Sequence, residues 1–211
     1  MNLLDHVTQF LILIEGTTLS ISLARWFLTQ QSEKKQAEEA ALIDPLTGLF
    51  NRRALNVELE SRQISLVTKK KYAVVIVDID HFKGINDSYG HASGDQVLNK
   101  ASSIIKSLIR DSDAAFRIGG EEFLILLDRC EEAEAFTITD RIRKAFEDSP
   151  TLAEGETIAH TLSAGIAVNT NDFFEQVLKN ADDALYTAKK EGRNKVFPYC
   201  RDVQDTSFIN C

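Results

Sequence analysis

Apolar runs of two kinds divide the chain. Tyr72-Ala-Val-Val-Ile-Val-Asp78 is apolar at consecutive positions and rich in Val, which predicts a central strand buried on both faces and ending in acid. Thr161 to Val168 reads as a further strand and Lys195 to Phe197 as a short last one. Ala114 to Ile118 and Phe123 to Leu127 are joined by Gly119, Gly120, Glu121 and Glu122, the pattern of a β-hairpin. Helical periodicity fills the intervals. Helices are predicted from near Asn51, from Gly94-Asp95 to about Arg110, over Glu131 to Asp148 and over Phe173 to Glu191. The last of these puts Phe174, Val177, Leu178, Ala181 and Leu185 on its buried side and stops at Gly192. His81 to His91 reads as a loop broken by glycine. Strands and helices alternating around a hairpin predict an α/β (α+β) domain with a mixed, antiparallel-containing central sheet wrapped by helices.

The N-terminal stretch follows a different period. Val7, Ile14, Ile21, Leu28 and Leu42 share one heptad position and Leu3, Phe10 and Ala24 the other; Thr17, Gln31, Lys35 and Glu38 interrupt the seam, which holds as far as Leu28. A helix that pairs with another helix is the leading expectation. A membrane-embedded or membrane-apposed helix and a plain packing helix stay open beside it. Glu15 and Arg25 weigh against a span, since an interior charge costs roughly 2.5 to 3.5 kcal/mol at mid-bilayer. With no basic n-region and no small-residue cleavage site, the stretch does not read as a secretory leader. Ser32 to Ile43, rich in Glu, Lys, Gln and Ala, continues as a solvated helix. Pro45 and Gly48 then break it, so residues 1–43 are expected to form a helical extension and 44–197 the folded domain. Residues 198–211, without periodicity, are expected to stay out of the core.

A chain of 211 residues, 44% hydrophobic, has enough apolar surface for one sizeable core. Its net charge of −8 argues against non-specific binding to a nucleic acid polymer, which needs a basic face, but not against a small anion held by a metal and a few local cations. Cys130, Cys200 and Cys211 are odd in number and lack CxxC spacing, which fits a reducing cytosol.

Candidate chemistry collects at the strand ends. Asp78 and Asp80, two residues apart, share one side of an extended chain. At the hairpin tip Gly119 and Gly120 remove Cβ atoms while Glu121 and Glu122 supply hard oxygen ligands, a combination suited to polyphosphate with Mg²⁺. An ordinary solvated acidic turn is the competing reading. His81 and His91 have no Cys or third His beside them and read as bystanders to any metal. Arg110 and Asp113, spaced i, i+3, orient a guanidinium and a carboxylate either toward one ligand or into a surface ion pair.

Eight segments taken together carry more than any of them alone. Asp44-Pro-Leu-Thr-Gly-Leu-Phe-Asn-Arg-Arg53, Val77-Asp-Ile-Asp-His-Phe-Lys83, Asn86-Asp-Ser-Tyr-Gly-His91, Gly94-Asp95, Arg117 to Phe123, Leu162-Ser-Ala-Gly-Ile166, Ala181-Asp-Asp-Ala-Leu-Tyr186 and Arg193-Asn194 closely resemble the GGDEF family of diguanylate cyclases. The resemblance runs from Asp44 to about Phe197, with the signature in its GGEEF variant. It implies a fold like the palm of adenylyl cyclases and polymerases. The implied reaction condenses two GTP into cyclic di-GMP with release of pyrophosphate, in a homodimer inhibited by its product. The implied cofactor is Mg²⁺, with Mn²⁺ the alternative, held by Asp78, the Ile79 carbonyl and Glu121 or Glu122. Glu121 is also the candidate for helping to deprotonate the 3′-hydroxyl. Asn86 and Asp95 fall where the family reads the guanine edge, Lys83, Lys189 and Arg193 where it contacts phosphate, and Gly119 and Gly120 in the substrate turn. Arg110 and Asp113 fall on the product-binding inhibitory site, with Arg141 as its second arginine. The different-class alternative is a catalytically silent receptor for GTP or cyclic di-GMP. Such loss of function normally shows at the signature or metal positions, all of which carry the family's residues here. The expected location is cytoplasmic, or the inner face of the membrane if the first helix is apposed to it.

Overall fold

The computed structural model describes residues 3–40, 42–64, 71–153, 155–170 and 173–200, and the chain divides near residue 41 into two units. The first is one helix, α1 (Leu3–Ala40). Its hydroxyl residues cause no break, because Thr18, Ser20 and Thr29 donate back to the carbonyls of Glu15, Gly16 and Arg25 at 2.9, 2.8 and 3.0 Å. Leu19, Ile21, Leu23, Trp26, Phe27 and Leu28 are exposed on it. Among the described residues no helix is long and apolar enough to cross a membrane.

The second unit begins with a turn in which Gly48 (φ 61°) donates to the Asp44 carbonyl at 2.8 Å. Its elements are β1 (Phe50–Asn51), α2 (Arg52–Ile64), β2 (Tyr72–Ile79), α3 (Phe82–Tyr89), α4 (His91–Leu108), β3 (Ala114–Arg117), β4 (Glu122–Asp128), α5 (Glu132–Glu147), β5 (Thr151–Ala153), β6 (Glu156–Ile158), β7 (Leu162–Val168), α6 (Phe174–Lys190) and β8 (Val196–Pro198). Asn51 caps α2, its Oδ1 accepting from the Ala54 N–H at 3.0 Å. Six strands form one sheet in the order β1-β3-β4-β2-β7-β8. The β3–β4, β4–β2 and β2–β7 pairs are antiparallel, while β1–β3 and β7–β8 are parallel. The mixed sheet expected from the sequence is therefore the one present.

Alternation along the strands sorts the core into two layers. Ala73, Val75, Val77 and Ile79 of β2 join Phe123, Ile125 and Leu127 of β4 on the face covered by α4 and α5. Tyr72, Val74 and Ile76 join Leu124 and Leu126 on the face covered by α2 and α6. Continuing the period puts Asp78 and Glu122 on the α6 side. There α6 lies directly on β7: a Cβ at Gly165 would sit 2.1 Å from the Ala181 carbonyl and 2.2 Å from the Leu185 nitrogen, so only glycine allows this approach.

Local structure departs from expectation in three places. The stretch read as a glycine-broken loop is helix α3, and Gly94 and Asp95 lie inside α4 rather than before it. Buried Phe82 and Ile85 anchor α3 to the core, and that packing outweighs the cost of Gly84. A small hairpin, β5–β6, turns through Gly155 (φ 85°) in a stretch whose three-residue strands are too short to show a period. Pro198 closes β8 opposite Ile166, and the Tyr199 N–H donates to the Ile166 carbonyl at 2.7 Å, so the first residues of the expected tail extend the sheet. Residues 201–211 of that tail, Cys211 among them, lie outside the described residues, as do the side chains of Leu3 to Ile14.

Candidate active site

The C-terminal end of β2 and the tip of the β3–β4 hairpin meet by strand register. Asp78 pairs directly with Glu122 across the antiparallel β2–β4 ladder, so both carboxylates project from the same face. One residue on, the Ile79 N–H donates to the Glu121 carbonyl at 3.3 Å. The turn closes on itself, with the N–H groups of Ile118 and Gly119 sharing the Glu122 carbonyl at 2.9 and 3.4 Å. A Cβ on Gly119 would come within 2.6 Å of Glu122 Oε2, so this glycine makes room for the carboxylate; around Gly120 the space is open.

Arg117 fixes the turn from below. Its Nε and Nη2 donate to the Gly120 carbonyl at 3.2 and 2.8 Å while Nη1 reaches Asp44 Oδ1 at 3.2 Å. Asp44 also accepts from the Thr47 N–H at 2.8 Å and its hydroxyl at 2.6 Å. Burial works against the Asp44 carboxylate, but the Thr47 and Arg117 hydrogen bonds outweigh it and hold the group below its ordinary range. Sequence reasoning placed both residues in motifs without giving either this role. Arginine two residues before a paired-glycine turn was the available signal.

Cations approach from α6. Lys189 Nζ lies 2.8 Å from Asp78 Oδ2, and both side chains are largely shielded. Burial pushes the Asp78 carboxyl above its ordinary range; Lys189, and further down Arg193, pull it back, while the charge of Asp80 adds to the burial effect. Asp80 itself is enclosed and accepts from Ser163 Oγ at 2.7 Å, Thr161 Oγ1 at 2.8 Å and the Asn194 N–H at 3.0 Å. It ties three segments together rather than facing a ligand. Past Asp80 the chain turns through His81 in a left-handed conformation (φ 56°) into α3, which carries exposed Lys83 and half-buried Asn86. Asn86 packs against Gly94 so closely that a Cβ there would lie 2.0 Å from Asn86 Oδ1, and exposed Asp95 follows.

Asp78 and Glu122, with the Ile79 carbonyl at the same strand end, suit a hard divalent cation. Among the described residues no group of three or more His, Cys, Asp or Glu could hold a metal unaided. Two carboxylates are what Mg²⁺ takes when water and substrate phosphates complete its octahedron. The donor set therefore fits. His81 and His91 are exposed and lie outside any such group.

Arg110, Asp113 and Arg141 gather at a different place, where α4 ends beside α5. Asp113 accepts from the Arg110 N–H and from the Asp128 N–H, each at 3.0 Å, while the Arg110 guanidinium pairs with Glu134 of α5. Arg141 donates to the Leu108 carbonyl at 2.7 Å. Asp113 thus shapes the turn into β3, and in place of the alternative Arg110–Asp113 surface ion pair there is a backbone contact. Arg110 and Asp113 border a cavity of about 240 Å³ that Lys106 also lines. A larger cavity of about 1000 Å³ between α5, α6 and β8, with Phe136 and Phe197 in its walls, touches none of the candidate residues.

A mixed sheet with an acidic pair at one strand end and Lys189 against it suits a divalent cation and a phosphate-bearing ligand. Comparison with known proteins carries this further. Residues 41–195 match the model described as diguanylate cyclase, GGDEF domain. Diguanylate cyclase DosC of Escherichia coli strain K12 is 38% identical over 192 residues, covering 89% of this chain and 41% of that protein. A crystal structure of the coiled coil and GGDEF domain of DgcB from Caulobacter crescentus, in complex with c-di-GMP, superposes with a TM-score of 0.72 at 30% identity, over 87% of this chain and 98% of that one. The active GGEEF domain of a diguanylate cyclase from Vibrio cholerae gives 0.64 at 33% identity, over 72% of this chain and 97% of the other. This chain belongs to the GGDEF family of diguanylate cyclases. It spans between 35% and 55% of the length of the first curated relatives it matches.

Proposed function

We propose that the chain condenses two GTP into cyclic di-GMP, releasing two pyrophosphates, and that Asp78, Glu122 and the Ile79 carbonyl hold the Mg²⁺ this requires. The direct Asp78–Glu122 pairing with Lys189 against it carries the reading. Each 3′-oxygen bonds to the α-phosphorus of the other nucleotide as the bond to pyrophosphate breaks, so the protein's tasks are orientation and charge neutralisation. The cation, once bound, supplies the charge that offsets both carboxylates and phosphates. Lys189, Lys83 and Arg193 contribute cationic heads for the triphosphate, and Asn86 with Asp95 pairs with the guanine edge. In this reading Glu121, half-buried at the turn, takes up the 3′-hydroxyl proton.

Two chains must face each other, because a single site holds one nucleotide and the product needs two. The α1 seam to Leu28 is the pairing element in this reading, and the cytoplasm, where GTP is available, its location. Product binds at Arg110, Asp113 and Arg141 and inhibits. The test is to incubate purified protein with GTP and Mg²⁺ and resolve the products: one cyclic di-GMP per two pyrophosphates is expected. GTP binding without turnover would favour the silent receptor instead. Arg110→Ala should keep the initial rate and lose product inhibition; equal sensitivity in both proteins would leave Arg110 with its structural partner Glu134 alone.

A further inference from the structure

After α6 the chain passes through two consecutive non-glycine residues in the left-handed region, Arg193 (φ 63°) and Asn194 (φ 47°). Asparagine tolerates that region, whereas arginine adopts it only where its surroundings impose it. The restraint here comes from both sides of the sheet. The Asn194 N–H donates to Asp80 Oδ2 at 3.0 Å. Its Oδ1 accepts from Arg143 Nη1 at 2.8 Å, and its Nδ2 donates to Glu147 Oε1 at 2.7 Å. Each partner is itself fixed. Asp80 is held by Ser163 and Thr161, and the Arg143 side chain, 12% exposed, is held by Asp140 and Glu147 at 2.8 Å each. Arg193 is tied to α6 only through its N–H, which donates to the Ala188 carbonyl at 3.0 Å. Its exposed guanidinium makes no hydrogen bond or ion pair with another described residue.

We propose that Asn194 is a positioning residue: clamped by Arg143 and Glu147 of α5 and by Asp80 past the end of β2, it locks Arg193 in its left-handed turn so that the guanidinium meets the terminal phosphates of the nucleotide. The Asn194 N–H on Asp80, two residues past Asp78, brings Arg193 to the same end of β2 as the acidic pair. The geometry gives α5, otherwise remote from the acidic pair, a direct hold on the loop that carries the phosphate-binding cation. Without the clamp the turn relaxes and the arginine reaches the phosphates only at the cost of ordering its own backbone. This inference rests on the GTP reading above.

Calorimetric binding of two probes to the full chain with Mg²⁺ tests it: the α,β-methylene analogue of GTP, whose α–β bridge does not break, and GMP, which lacks the terminal phosphates. Asn194→Gly keeps the left-handed backbone accessible but removes the amide. It is expected to weaken the analogue about tenfold, the scale of one charge-assisted contact, and to leave GMP unchanged. In an Arg193→Ala background the same substitution should have no further effect, because Asn194 acts through Arg193. Arg143→Lys, which keeps the charge but not the forked contacts, should weaken the analogue in the same selective way. Equal losses for the analogue and GMP, wild-type affinity in Asn194→Gly, or additivity with Arg193→Ala would each overturn the proposal. A wild type that binds neither probe would overturn the GTP reading, and the proposal with it.

Discussion

Asp78 sits where burial and the charge of Asp80 both oppose its ionisation, and Lys189 supplies the nearest compensation. A bound cation reverses that balance. Asp78→Asn is therefore expected to reduce cyclic di-GMP formation at least about a hundredfold while the melting temperature holds or rises, since the amide keeps the shape and removes a charge that burial penalises. Product analysis beside a thermal melt checks it, and near-normal turnover would sink the metal assignment. His160 gives a second test, of stability. It stacks on Phe146 with ring centroids 3.9 Å apart, and its Nε2 lies 2.9 Å from the Thr151 hydroxyl. Burial lowers its pKa from 6.5 to about 4. Between those values the unfolded chain binds the proton and the folded one does not, so stability falls as pH drops through 6.5 and levels off below about 4. The full effect is on the order of 3 kcal/mol. His160→Phe should flatten that part of the urea-midpoint profile, and an unchanged slope would remove His160 as its source.

Helices α3 and α4 meet at a corner where one glycine decides the position of one amide. A Cβ at Gly94 would displace Asn86 Oδ1, the far end of a side chain, without forcing the backbones apart. Gly94→Ala is expected to cost little stability but to weaken GTP binding about tenfold and narrow the preference for GTP over ATP, because the guanine edge loses a partner. Competition binding measures this, and unchanged selectivity would take Asn86 out of base recognition. Legibility at this scale followed length. β2, with eight buried residues, and α6, with seventeen residues and a clear apolar face, were readable from period alone. The eight residues of α3 were not, because Gly84 and Gly90 resemble loop punctuation until Phe82 and Ile85 are seen in the core.

The reaction proposed for the whole molecule needs two catalytic units, and α1 is the segment with a pairing seam. Its exposed Ile21 and Leu28 lie one heptad apart. Tethering two domains through paired helices raises their effective concentration toward roughly the millimolar range typical of short linkers. Deleting residues 1–40, which spares the Asp44 turn, should lower specific activity and make it rise with protein concentration. An unrelated dimeric coiled coil in suitable register should restore it. Equal activity per chain at nanomolar and micromolar concentration after the deletion would show that α1 is not the dimeriser and would favour membrane apposition.

The sequence by itself determined the long strands, the long helices, the central hairpin and the kinds of side chain at the site, because period and turn chemistry are written among near neighbours. It also carried the family, through motifs spread over most of the second unit. Tertiary structure alone decided which residues meet. Arg117 and Asp44 join across 73 residues, and Asn194 and Asp80 across 114. The pairing of Asp78 with Glu122 depends on a strand register that a one-residue slip would reverse. Such contacts follow from packing whole elements into two layers around one sheet, and no local window of sequence contains both partners.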